Sequence, residues 1–267
     1  MIGISWFFGF DIKPKKRVEL LKKYGFECVC TRNSRRYNKQ NGSFKKQIKL
    51  FKKNGLKLSS LHMDYTNKDL PFFWTDSKIG DKLEKNIIKD IKHSSKHGFT
   101  CLVTHIKGKW STIGKRRLLR ILEVCEKYNV DLAIENLCNN ERVFIKTLRT
   151  VKHKNLKFCY DTGHHNIGMK DIDLLDEFGD KLVALHLHSN MGDFDSHTLR
   201  KFGNIDWDAI AQKLAKLPDV YLDYELLFYV MPSGYTVEQA LEECKKEAEH
   251  LSKRIEFYRK KVKNNER

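Results

Sequence analysis

Short apolar, β-branched runs recur along the chain, and each is followed by a longer stretch with apolar residues at helical spacing and lysines between them. A side-chain period near two predicts strands, and a period near 3.6 predicts helices. Strands are predicted near Gly3–Phe7, Glu27–Thr31, Lys57–Leu61, Thr100–Thr104, Asp131–Ile134, Lys157–Tyr160, Leu182–Leu187 and Val220–Tyr224. Helices are predicted over Pro14–Tyr24, Ser43–Asn54, Ile79–Gly98, Ser111–Tyr128, Arg142–Val151, Asp171–Phe178, Trp207–Leu217 and Val237–Lys260. Gly25, Gly55, Gly98 and Asn129 follow four of these helices, where a left-handed residue commonly closes the last turn. Asp206 stands before Trp207 in N-cap position. Strand and helix alternating in this order predict a single (β/α)₈ TIM barrel over residues 1–267, not an open doubly wound sheet. Residues 259–267 are expected to be a frayed polar tail.

Length and composition agree with this. The chain has 267 residues, close to the roughly 250 of such barrels. It is 40% hydrophobic and 32% charged, which excludes a disordered chain. Seven cysteines without framework spacing predict a reduced, cytoplasmic protein and no disulfide scaffold. The opening MIGISWFFGFDIK has neither a basic leader nor a long apolar stretch, so no signal peptide or membrane span is expected. The net charge of +17 suits an anionic partner, and it equally suits a lysine-rich proteome.

Candidate chemistry enters through the strand ends, where barrels place their active sites. His62 follows strand three, His105 strand four, Glu135 strand five, and Asp161 strand six with His164 just beyond. His186 and His188 lie on strand seven with Asp195 and His197 in its loop, and Glu225 ends strand eight. A lone histidine at a strand end is usually structural, but consecutive strands presenting His, Asp or Glu at one rim are not scattered loop chemistry. Such charges converging on a cavity are costly without a cation among them. Mixed carboxylate and imidazole donors suit zinc, manganese or a similar divalent metal. Arg32, Arg35, Arg36 and Lys109 are candidate phosphate contacts. Trp6 and Phe7, ending strand one, fit either an apolar wall or core packing.

The segments AIENL (133–137), CYDTGHHN (159–166), ALHLHSNMGDFDSH (184–197), GNIDWDAI (203–210) and LDYEL (222–226) resemble the xylose-isomerase-like barrel superfamily. That group includes sugar isomerases and epimerases and also endonuclease IV. The resemblance implies one divalent metal held by Glu135, Asp161, His186 and Glu225. His188, two residues on and facing the same side, is the alternative to His186. The sugar phosphate isomerase/epimerase group is the nearest match, with Ser189 and Met191 departing from its usual acidic residues. It implies a sugar or sugar-phosphate substrate, proton transfer beside a carbonyl by Glu135 and Glu225, and His164 and His188 at substrate hydroxyls. A homodimer is also in keeping with it. The endonuclease IV resemblance implies a zinc-dependent phosphodiesterase that cuts DNA at abasic sites with up to three ions. His62, His105 and Glu135 would hold the first, Asp161, His186 and Glu225 the second, and His164, Asp195 and His197 the third. Tyr65 would stand where that enzyme inserts an aromatic, and Arg32, Arg35 and Arg36 would meet DNA. Its strand-seven signature is absent, which favours the sugar enzyme. A non-catalytic barrel is the third reading, and the filled ligand set argues against it.

Overall fold

The structure, a computed structural model, describes residues 1–64, 67–230 and 234–265. Its strands are β1 (Ile2–Ser5), β2 (Cys28–Arg32), β3 (Lys57–His62), β4 (Cys101–Thr104), β5 (Asp131–Glu135), β6 (Leu156–Asp161), β7 (Leu182–His186) and β8 (Leu222–Tyr224). They form one parallel sheet in the order β7-β6-β5-β4-β3-β2-β1-β8. Leu187 N donates to Asp223 O at 2.8 Å and Glu225 N to Leu187 O at 3.0 Å, which joins the two end strands at the rim. The sheet is therefore a nearly closed barrel, and the predicted TIM barrel is the observed fold.

Alternation along the strands separates inside from outside. Cys101, Val103, Ala133, Cys159 and Ala184 pack together as a small cluster inside the barrel. Their neighbours Leu102, Leu132, Ile134, Phe158 and Leu185 join the main core against the helices. Small inward side chains keep the barrel narrow, so residues at the strand ends are brought close together.

The helices are α1 (Pro14–Lys23), α2 (Arg35–Asn41), α3 (Phe44–Lys53), α4 (Lys78–His97), α5 (Thr112–Tyr128), α6 (Glu141–Thr150), α7 (Thr162–Gly168), α8 (Leu174–Phe178), α9 (Trp207–Leu214) and α10 (Val237–Asn265). The expected caps form. Gly98 and Asn129 take left-handed conformations after α4 and α5, and Asp206 accepts from Asp208 N and Ala209 N at 3.0 Å to start α9. Among the described residues, no helix is long and apolar enough to cross a membrane.

Four local expectations are corrected. β1 stops at Ser5, and Trp6 is fully buried edge-on against Phe51 of α3 with ring centroids 4.7 Å apart, so Trp6 is a core residue and not a cavity wall. The stretch after β2, where no helix is predicted, holds α2, because Ser34 Oγ accepts from Tyr37 N at 3.1 Å and caps it. A second unpredicted helix, α7, starts directly at the end of β6. Finally, α10 runs through Arg259 to Asn265 where fraying was expected. Arg259 ties that turn to Asp219, and Lys261 Nζ sits 4.6 Å from the centre of the Phe257 ring.

Candidate metal centre

The end of β5 supplies Glu135, whose side chain is almost fully buried. Its two oxygens face different partners. Oε2 lies 3.2 Å from His62 Nε2 and 2.8 Å from His105 Nε2. Oε1 lies 3.3 Å from both His186 Nδ1 and His164 Nδ1. Across the rim, Glu225 Oε2 is 2.9 Å from His186 Nδ1. Glu135, Asp161, His186 and Glu225 each bring one ligand atom within 4.8 Å of the others. The same holds separately for His62, His105 and Glu135, and for His188, Asp195 and His197.

The end of β6 is organised by main-chain and amide contacts. Asp161 N donates to Asn136 Oδ1 at 2.8 Å while Asn136 Nδ2 donates to Asp161 O at 2.9 Å, which locks β5 and β6 together. Asp161 Oδ1 accepts from His164 N at 2.6 Å and so caps α7. His188 Nε2 stands 3.1 Å from both Asp161 oxygens, and the His188 ring stacks on His197 with centroids 3.9 Å apart. Thr162 Oγ1 donates to His188 O at 2.6 Å, which fixes the backbone beyond β7. Asn136 and Thr162 are supports that the sequence did not single out; amide or hydroxyl residues beside a candidate ligand carry no signal of their own.

Three imidazoles share one orientation. His62 Nδ1 donates to Met63 O at 2.8 Å, His164 Nδ1 to Asn136 O at 3.0 Å, and His197 Nδ1 to Glu225 O at 2.8 Å. A carbonyl oxygen only accepts, so each of these contacts places the proton on Nδ1. Each Nε2 then faces a carboxylate: Glu135 for His62, and Asp195 Oδ2 at 3.2 Å for both His164 and His197. A neutral Nε2 lone pair aimed at a carboxylate is repulsive unless a proton or a cation lies between them. Carbonyl-anchored imidazoles of this kind are the usual support of metal-ligating histidines. His197 also holds a left-handed φ of 46°, a conformation a non-glycine residue keeps only under surrounding restraint.

The electrostatics agree with this crowding. Burial would raise Glu135, but the charges of His105 and His186 and the hydrogen bonds from His105 and His164 hold it well below the usual carboxylate range. Burial likewise opposes ionisation of Glu225, and the His186 charge overrides it. Burial lowers His197, yet the Asp195 hydrogen bond and the Glu225 charge lift it to about 9. His62 goes the other way: burial and then the nearby Arg32 charge push it down to about 4. The donor set, four oxygens or nitrogens around the centre with more imidazoles outside, fits zinc or manganese.

The remaining expected contacts are less central. Tyr65 lies outside the described residues. Arg35 and Arg36 open α2, and their side chains also lie outside what is described. Lys109 is exposed in the loop after β4, and Phe7 is half-buried near the Arg17 guanidinium. Arg32, at the end of β2, is paired in register with His62. His164 contacts Asp195, but the compact outer group forms with His188 in the place expected for His164.

A family model described as "Xylose isomerase-like TIM barrel" matches residues 18–251. The chain belongs to this family. A curated relative, the uncharacterised protein y4fM of Sinorhizobium fredii (strain NBRC 101917 / NGR234), is 33% identical over 97 residues, covering 34% of this chain and 31% of its own length. The chain thus matches about a third of that relative. Among solved structures, a D-tagatose 3-epimerase-like protein superposes with a TM-score of 0.73 at 18% identity, over 98% of this chain and 99% of that one. An L-ribulose 3-epimerase gives 0.72 at 15% identity, over 98% and 96%. At these identities the likeness is one of fold.

Proposed function

We propose that the protein is a divalent-metal-dependent isomerase or epimerase of a sugar or sugar phosphate. The observation that carries this reading is the gathering of Glu135 and Glu225, on strands from different sides of the barrel, around His186 and Asp161 within 4.8 Å. The fold likeness to proteins named as sugar 3-epimerases supports the same class. A bound divalent cation would supply Lewis-acid stabilisation of negative charge at the substrate carbonyl oxygen. Glu135 or Glu225 would take the proton from the carbon beside the carbonyl, and the other would return a proton from the opposite face. Both carboxylates are held ionised by neighbouring imidazoles, and ionisation is the state a base needs. His164 and His188 would bind hydroxyls, with Thr162 and Asn136 fixing their positions.

The test is exchange of substrate hydrogen with deuterium oxide. Protein loaded with manganese or zinc is incubated with ketopentoses, ketohexoses and their phosphates, and deuterium beside the carbonyl is followed by NMR. Incorporation that disappears in Glu135→Gln and Glu225→Gln supports the proposal. No exchange on any ketose would sink it.

One observation favours a second reading. The outer groups His62–His105–Glu135 and His188–Asp195–His197 flank the central one, which suits a cluster of up to three ions activating water on a phosphodiester. Cleavage of a duplex carrying a tetrahydrofuran abasic analogue would favour it, making the protein a nuclease of DNA.

A further inference from the structure

We infer that Arg32 is a substrate-binding residue that receives a phosphoryl group at the mouth of the barrel; this rests on the sugar-enzyme reading for its place beside the reacting centre. The direction of the side chain follows from the strand. Thr31 Oγ1 donates to Gln47 Oε1 of α3 at 3.2 Å, so Thr31 faces outward. Cys30 Sγ lies 3.4 Å from Ser5 Oγ inside the barrel. Arg32 follows the inward parity of Cys30. Its register partner on parallel β3 is His62, whose Nε2 reaches Glu135. Arg32 and His62 therefore project from the same face of the sheet, into the same mouth.

Arg32 is half-buried, and among the described residues its guanidinium forms no hydrogen bond or ion pair. The buried arginines elsewhere are engaged. Arg17 donates to the carbonyls of Phe10 and Ile12 at 3.2 Å, and Arg117 to Phe73 O at 2.9 Å and Asp81 Oδ1 at 2.7 Å. The carboxylates nearest the mouth are occupied by imidazoles: Glu135 by His62 and His105, Asp161 by His188, Asp195 by His164 and His197. A partly desolvated cation without a partner is unfavourable until an anion arrives. The planar fork of guanidinium donors matches phosphoryl oxygens in paired hydrogen bonds. A substrate phosphate would then be fixed at β2 while the carbonyl end reached Glu135 and Glu225. The phosphoryl group could belong to a ketose phosphate or to a nucleic-acid backbone, and the shared chemistry is what Arg32 selects.

Calorimetric titration with inorganic phosphate at fixed ionic strength tests this, using wild type, Arg32→Gln, Arg32→Lys and Lys85→Gln, a control at an exposed lysine of α4. Expected results are a tenfold or greater loss of affinity in Arg32→Gln, a smaller loss in Arg32→Lys and no change in Lys85→Gln. Equal binding by wild type and Arg32→Gln, or an equal loss in Lys85→Gln, would overturn the inference. Two further titrants, a ketopentose 5-phosphate and a duplex with a tetrahydrofuran abasic analogue, identify the source: the one whose affinity falls in Arg32→Gln supplies the phosphate, and loss with neither overturns the assignment. Failure of the sugar-enzyme reading is distinguishable. Phosphate binding that depends on Arg32 without deuterium exchange leaves this site standing alone. Exchange on a ketose phosphate whose KM is unchanged in Arg32→Gln removes this site alone.

Discussion

His186 Nδ1 lies 2.9 Å from Glu225 Oε2, yet the buried nitrogen makes no well-directed hydrogen bond. Two groups that approach so closely without bonding are arranged around something other than each other, and a shared cation satisfies both. Glu225→Gln keeps the shape and removes the charge. Its backbone link, Glu225 N to Leu187 O at 3.0 Å, does not involve the side chain, so the barrel should fold normally by circular dichroism. Metal affinity should fall about 10–100-fold, and activity about 10²–10⁴-fold. Normal metal content with full activity would refute the role given to Glu225.

His197 separates the two chemistries. Its Nε2 faces Asp195 and its ring stacks on His188, outside the central group of Glu135, Asp161, His186 and Glu225. For a one-ion isomerase, His197→Ala should leave the metal count per chain unchanged and reduce turnover only modestly. Elemental analysis of protein purified without added metal, wild type beside variant, is the check. A wild type with two or three zincs that loses one in His197→Ala would move the phosphodiesterase reading ahead.

The same residue sets a pH dependence in the metal-free protein. Burial opposes the charge on His197, but Asp195 and Glu225 raise it from 6.5 to about 9. A raised folded-state value means the stabilisation is full below pH 6.5 and is lost as pH rises through 9. The shift corresponds to about 3 kcal/mol. Urea unfolding in chelator should therefore show stability falling between pH 6.5 and 9, and His197→Gln should flatten that fall. An ion held by His188, Asp195 and His197 would require the neutral ring, and only with that outer group filled should the fall vanish. An alkaline slope identical in wild type and variant would show that His197 carries no proton there.

The barrel was legible because alternation and helix spacing repeat in every unit, and Gly98 and Asn129 mark helix ends by backbone chemistry alone. The rim residues were legible because strand ends locate them in this fold. What sequence could not give was the grouping. His164 and His188 lie 24 residues apart, and which of them joins Asp195 and His197 depends on how α7 leaves β6. That helix was missed because its start is a candidate ligand side chain, Asp161, and its first turn contains Gly163, so no helical period could be read. Trp6 was ambiguous for another reason: one residue past the end of β1, side-chain parity no longer decides between cavity and core.

Gly163 makes that hidden junction testable. A Cβ on it would stand 2.0 Å from His188 Cε1 and 2.5 Å from His188 Nδ1. His188 cannot retreat easily, since its Nε2 is held at 3.1 Å from both Asp161 oxygens and its other face stacks on His197. Alanine is the better helix former by up to about 1 kcal/mol, but overpacking a rigid site costs about 1–3 kcal/mol, so Gly163→Ala should destabilise and weaken metal binding together. The same Cβ would also stand 2.8 Å from Asn190 Nδ2, so a double-mutant cycle isolates the share that belongs to His188. In a His188→Ala background the same Gly163→Ala change should cost clearly less than in wild type, measured by urea unfolding of the metal-free protein. An equal cost in both backgrounds would mean that α7 tolerates no side chain at this position for reasons of its own, and that His188 is not seated against it.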